Sequence, residues 1–288
     1  MKRLFIFLVV FLVVLYSVAF AEEIPVFEGY PIIEQNDNYP EFTVKDLTVQ
    51  AFDVYSELDS LGRTGSAMAC IGKESLTHEE RGLISDITPS GWKNSWYDSI
   101  EDGYVYNRCH LIGYRLTGND TPNNLMTGTH YLNYESMLPY ENWITMYISN
   151  TGNHVLYRVT PIYYGDNLVA SAVRMEGYSV EDLGSGICFH FLAYNIQPGI
   201  AIDYATGETW PDESVIVLSN DATEEAISEF ETVEVQEITY ILNTNSHKFH
   251  YPYCDSVIDM KEKNKAEFYG TREEAIAQGY EPFGRCNP

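Results

Sequence analysis

The chain has 288 residues and a formal net charge of −25, set by 17 Lys and Arg against 42 Asp and Glu, and it carries five cysteines. That length holds one substantial domain and a small one. The charge excludes tight binding of a polyanion by the chain as a whole, and so few cysteines exclude a disulfide framework as the source of the fold. The acid is unevenly spread, because Asp212 to Glu237 holds nine carboxylates and no Lys or Arg.

In chain order, Lys2-Arg3, the apolar run Leu4 to Val18 and Ala19-Phe20-Ala21 form an export signal with cleavage after Ala21. The run is shorter than the roughly 20 residues a spanning helix needs. The expected mature chain is therefore secreted, starts at Glu22 and makes no stable membrane insertion. Residues 22–45 read as an extended arm with one short strand at Ile32-Ile33-Glu34. Thr43 to Asp59 has helix-start chemistry at Thr43 and apolar residues at Leu47, Phe52, Val54 and Leu58, which predicts a helix. Ser66 to Ile71 alternates as a strand, Thr77 to Arg81 reads as a capped helical turn, and Pro89-Ser90-Gly91-Trp92 reads as a turn before a strand with Trp96.

Tyr104 to Ile112 is a further strand. Its alternation puts Tyr104, Tyr106, Arg108, His110 and Ile112 on one face and Val105, Asn107, Cys109 and Leu111 on the other. Arg108 and His110 then point the same way, roughly 6.6 Å apart. A guanidinium that can hold phosphate beside an imidazole that can accept a proton suits a phosphodiester. Adjacent strand residues diverge, which argues against a Cys109–His110 protease dyad. A polar loop follows, then a helix with Asn133. Pro139 predicts that this helix breaks and restarts, with the proline near N1 of the second piece.

His154 to Tyr164, Asn167 to Tyr178, Gly186 to Tyr194 and Ile200 to Tyr204 read as strands, and His130, His154 and His190 as packed or solvated rather than ligating. Together these segments give an α+β fold with a mixed or antiparallel central sheet flanked by helices. The acidic residues 212–237 read as a linker, with Val215 to Leu218 as an optional strand, and 238–288 as a small separate module with a basic helix-like run from Val257 to Gly270.

The runs NRCHLIGYRLTGN and NLMTGTHYLN resemble the DNA/RNA non-specific endonuclease family, the ββα-metal (His-Me finger) nucleases with an Asp-Arg-Gly-His signature. The resemblance spans roughly Asp46 to Trp210 and makes 46–211 the expected nuclease domain. It implies His110 as general base, Asn133 as a Mg²⁺ ligand with Mn²⁺ as a substitute, Glu141 as support for the metal, Asn124 as the residue that pins the loop after the catalytic strand, and DNA or RNA as substrate. Arg108 would hold a nonbridging oxygen. Eight residues of straight helix rise about 12 Å, so Glu141 acts through metal-bound water or by orienting a neighbour. Asn107 and Cys109 depart from the signature's Asp and Gly, and both are expected on the supporting face behind His110.

In the last module, His250-x3-Cys254 and Cys286 resemble the Ada N-terminal metal-binding domain, although Phe283 stands where a partner cysteine would complete a C-x2-C pair. Three readings stay open there: zinc on His250, Cys254 and Cys286 with His247 as a fourth candidate, a Cys254–Cys286 disulfide, or thiols. Two further classes stand beside the nuclease reading, a secreted non-catalytic nucleic-acid-binding protein and a zinc-stabilised interaction protein.

Overall fold

Alternating apolar residues make the strands that carry the fold, and the computed structural model describes residues 24–77, 79, 82–100, 103–218, 238–250, 254–258, 260–270 and 272–284. In chain order the elements are β1 (Ile32–Glu34), β2 (Phe52–Tyr55), β3 (Ala67–Ile71), β4 (Tyr106–His110), α1 (Tyr114–Thr117), β5 (Leu125–Thr129), α2 (Leu138–Thr151), β6 (Val155–Ile162), β7 (Ala172–Ser179), β8 (Cys188–Tyr194), β9 (Ile200–Asp203) and β10 (Glu208–Pro211). Six of them form one sheet in the order β1-β8-β7-β6-β3-β2. Every pairing in it is antiparallel, so the expected mixed or antiparallel sheet is antiparallel. The strands β4 and β5 form a separate two-stranded ribbon, as do β9 and β10.

Period-two alternation gives this sheet two apolar faces. One face, with Ala69, Val155, Tyr157, Val159, Met175, Phe189 and Phe191, packs in a single core with Leu132, Met137, Ile144 and Ile148 of the helical segment and with Cys109, Leu111 and Ile112. Tyr140 of α2 lies 4.3 Å from the Phe191 ring and 4.9 Å from the Phe189 ring, centroid to centroid. Burying side chains of this size stabilises by about 1.5–3 kcal/mol each. That packing fixes α2, and with it Asn133, against the sheet.

The opposite face is covered by the N-terminal arm. Ile162, Ala172, Leu192 and Tyr194 pack with Ile24, Phe27 and Ile33, and β1 closes the sheet edge with Ile32 opposite Ala193. Tyr164 and Tyr194 donate their hydroxyls to the carbonyls of Ile24 (2.9 Å) and Pro25 (2.7 Å). Glu176, 1% exposed, accepts from Nε and Nη2 of Arg158, both at 2.6 Å, and from the N–H of Glu41 at 2.9 Å. Burial alone would raise the Glu176 carboxyl, but the Arg158 bonds, the Glu41 N–H and the nearby charge hold it below its ordinary value.

Two expected elements differ. Thr43 starts a turn, not a helix, because its N–H and hydroxyl both donate to Asp46 Oδ2 at 2.7 Å while Asp46 N–H returns to the Thr43 carbonyl at 2.9 Å. The residues after it pair as β2 with β3, Phe52 opposite Cys70, so cross-strand pairing overrides the helical spacing. The basic run Val257 to Gly270 holds, among its described residues, the end of a helical turn at Asp255–Ile258, a 3-10 turn at Glu262–Asn264 and the strand Lys265–Gly270. Its residues align with Ile238–Asn243 along a full antiparallel register.

That strand belongs to a four-stranded sheet with Ile238–Asn243, Lys248–His250 and Glu281–Pro282. In it, His250 is buried with its ring 4.3 Å from that of Phe283, and His247 has a left-handed backbone with its ring 5.5 Å from Tyr280. Cys286, the export signal, most of the acidic linker and three residues of the 77–81 turn lie outside the described residues. Val215 to Leu218 forms no strand, although the Leu218 N–H donates to Gly29 O at 2.7 Å. No helix among the described residues is long and apolar enough to cross a membrane.

The Glu176 clamp sets the first prediction. Arg158→Ala strands a buried carboxylate, so it should destabilise by about 3 kcal/mol in urea unfolding at pH 7. Because the folded carboxyl lies below its unfolded value near 4.5, the stabilisation is present above that pH and lost as pH falls through the folded value. The gap between wild type and variant should therefore narrow in acid.

Candidate active site

From β4 to α2 the chain runs strand, excursion, strand, helix. The ribbon pairs His110 with Leu125 and Tyr106 with Thr129. Helical winding then begins with a π segment, Leu132–Met137, in which the Leu138 N–H donates to the Asn133 carbonyl, and passes directly into α2. The break expected at Pro139 is absent. Tyr131, Met137 and Leu138 all keep right-handed helical backbone, and the wider π turn carries the chain past a proline that has no N–H to give.

The excursion between β4 and β5 is closed by Asn124, which is fully buried. Its Oδ1 accepts from Ile112 N–H at 2.9 Å, and its Nδ2 donates to the carbonyls of Ile112 at 2.9 Å and Asn119 at 3.0 Å. The closed loop returns Asp120 to the end of β4. There Asp120 Oδ1 meets His110 Nε2 at 2.8 Å, and its Oδ2 accepts from Gly82 N–H at 3.2 Å. His110 is 8% exposed, so this contact is largely shielded from water. Sequence reading passed over Asp120. The usable signal was the antiparallel return itself, since a loop that leads back to residue 125 opposite His110 must carry its later residues past the histidine.

The ribbon borders an open cleft of about 520 Å³ lined by His110, Arg108, Asn107 and Asn133, with Trp92, Tyr104, Tyr106 and Tyr134 completing the wall. His110 and Asn133 thus face one space, although they come from strand and helix. Asn107 also lines it, against the expectation that it sits behind. Residues of both faces of β4 thus border the cleft, beside Asn94, whose side chain bonds the N–H and the carbonyl of Tyr106, each at 2.9 Å. The Nδ2 of Asn107 is buried with no partner among the described residues. Cys109 alone turns inward, with Sγ 3.5 Å from Met137 Sδ.

Arg108 donates from Nε to Ile87 O at 2.5 Å and from Nη2 to Ser85 O at 2.7 Å, and its guanidinium stacks 4.4 Å from the Trp92 ring. Of Arg108, Arg115 and Arg158, only Arg108 borders the cleft. Glu141 lies on the core side of the same unit, where Oε1 accepts from Gly113 N–H at 2.7 Å and from the Tyr157 hydroxyl at 3.5 Å. A Cβ at Gly113 would stand 2.5 Å from the Glu141 carboxylate, so only glycine permits this approach. Burial pushes the Glu141 carboxyl up to about 8, against the lowering effect of those two bonds. Among the described residues no three His, Cys, Asp or Glu side chains are placed to hold one metal ion.

Comparison with known proteins gives these positions a context. Residues 43–181 match the family model of the DNA/RNA non-specific endonucleases. Among solved structures, the chain is similar to NucA from Streptococcus agalactiae with magnesium bound, at 26% identity and a TM-score of 0.57 over 63% of this chain and 87% of that one. The metal-free form of the same protein gives a TM-score of 0.55 over the same shares. The Sda1 nuclease with bound zinc shares the fold at 22% identity and a TM-score of 0.52, over 63% of this chain and 97% of that one. The chain is therefore a nucleic-acid-cleaving enzyme with the α+β nuclease fold.

Glu141 yields the second prediction. With its folded value raised above the unfolded value near 4.5, the favourable contribution of the protonated carboxyl is complete below that pH and disappears as pH rises through about 8. The melting temperature of the metal-free wild type should fall between pH 5 and 9 more steeply than that of Glu141→Gln, which keeps an acceptor for Gly113. Parallel curves would refute the buried-carboxyl account.

Proposed function

We propose that this chain is a secreted, Mg²⁺-dependent, sequence-nonspecific endonuclease that hydrolyses phosphodiester bonds of DNA or RNA, with His110 as general base. The observation that carries this reading is the shared cleft, in which a carboxylate-bonded histidine and a helix-borne asparagine face the same space.

The roles follow from the donors. A carboxylate only accepts, so the Asp120 contact puts the proton of the neutral His110 ring on Nε2 and its lone pair on Nδ1. In hydrolysis, water loses a proton to the His110 ring as its oxygen bonds to phosphorus, and the bond to the departing ester oxygen breaks on the far side. Asp120 keeps the ring in one orientation and balances the imidazolium that forms. Asn107 borders the same cleft from the strand, with its Nδ2 buried and without a partner among the described residues. Arg108, anchored by the Ser85 and Ile87 carbonyls, supplies fixed positive charge to the wall.

The residues present fit a hard divalent ion. Such an ion keeps several waters and needs one or two protein oxygens, and the cleft offers the side-chain carbonyl of Asn133 with room for water beside it. When bound, the ion neutralises the phosphate and the departing oxygen. The magnesium in the Streptococcus agalactiae structure supports that choice, with Mn²⁺ as a substitute. Glu141 supports the site from behind, through the Gly113 N–H three residues beyond His110. Export would follow from residues 1–21, and the small module would be stapled by zinc or by a Cys254–Cys286 disulfide.

His110→Ala and EDTA should each reduce plasmid and RNA digestion by the chain beginning at Glu22 by about a thousandfold or more, with Mg²⁺ reversing EDTA. Undiminished cleavage in either arm would end the mechanism, and binding without cleavage across Mg²⁺, Mn²⁺ and Ca²⁺ would leave a binding protein. Asp120→Asn should lower kcat by about 10- to 100-fold.

A further inference from the structure

Tyr104 lines the cleft beside Asn107 and Arg108, and Trp96 packs against it outside that lining. Trp96 is 60% and Tyr104 49% exposed, their rings 5.0 Å apart at an interplanar angle of 87°. Solvated aromatics are usually mobile, but these two are held. Trp96 and Tyr104 form an isolated antiparallel bridge, the Trp96 indole N–H donates to Asp98 Oδ1 at 2.9 Å, and the indole lies flat on Gly103, where a Cβ would come within 2.2 Å of it. Gly103 also has a left-handed backbone, so two separate constraints reserve the place for glycine. Tyr104 in turn lines the His110 cleft.

We infer that Trp96 and Tyr104 form a nucleobase-stacking shelf that makes unpaired nucleic acid the preferred substrate of this cleft. The inference rests on the nuclease reading above and adds the strand form of the substrate. Affinity for duplex nucleic acid comes chiefly from cations that neutralise phosphates, and here the chain carries −25 while among the described residues the cleft offers one arginine, already bonded to two carbonyls. Stacking does not need cations, and it tolerates any sequence because every base has a π-face. It does need a base that is not already paired and stacked. Tyr104 stands six residues before His110, at most about 20 Å of chain away, so the stacked base belongs to the same strand as the cleaved phosphate, a few nucleotides distant.

The test uses the chain from Glu22 with a single-stranded oligonucleotide and the duplex of the same sequence. With Mg²⁺, the wild type should cut the single strand at least tenfold faster in kcat/KM, and Trp96→Ala should erase about tenfold of that preference. Trp96→Phe should restore most of it, and an unchanged melting temperature should show that the fold is intact. In the His110→Ala protein, the single-stranded oligonucleotide should quench tryptophan fluorescence, and Trp96→Phe in that background should remove the quench. Equal cutting of both forms, or an equal effect of Trp96→Ala on both, overturns the shelf. A Trp96-dependent quench in a protein that cuts nothing supports the shelf and overturns the nuclease reading alone.

Discussion

The three hydrogen bonds of Asn124 are the constraint on which the site depends. This side chain bonds both the N–H and the carbonyl of Ile112, as a strand partner would, and holds Asn119 with its remaining proton. It thereby closes an excursion that would otherwise be a free loop between two strands. A closed loop presents Asp120 to His110, and Gly113 to Glu141, from the same few residues. An amide is needed because the job takes an acceptor and two donors at once, and a buried polar group left unmatched costs about 1–3 kcal/mol.

The second constraint is lateral. His110 and Asn133 belong to elements of opposite type, so their meeting requires that ribbon and helix dock on one surface. The aromatic contact of Tyr140 with Phe189 and Phe191 does this for the helix, and Cys109 against Met137 does it for the ribbon. The departure of Cys109 from the family's glycine is thus absorbed in the core, where thiol and thioether pack as apolar groups.

Much of this was legible in the sequence, for identifiable reasons. The long strands after His154 alternate, and the alternation alone predicts their faces. The order of His110 and Asn133 carried the resemblance, and with it the candidate site. What was hidden was what depends on closure. Asp120 is one of many acids until the loop brings it back, and the Arg108 donors look available until Ser85 and Ile87 arrive from a segment twenty residues earlier. Thr43 was misread because a capping side chain serves a turn as well as a helix. Pro139 does stand in the first turn of α2, as expected, but the break before it was misread because the π winding has no signature in residue spacing.

The N-terminal arm separates this domain into an early part and a late part. The ribbon and helix that hold the cleft come from one contiguous stretch, Tyr106 to Thr151. The arm's contacts span 135 residues from Glu41 to Glu176, 140 from Ile24 to Tyr164 and 169 from Pro25 to Tyr194. Contacts that close such long loops form late. A chain emerging from its N-terminus therefore builds the ribbon and helix first, and keeps the apolar back of the sheet, Ile162, Leu192 and Tyr194, uncovered until β1 finds β8. The interval between those two events is when this protein is most exposed to aggregation, and the arm, which touches none of the chemistry, is what ends it.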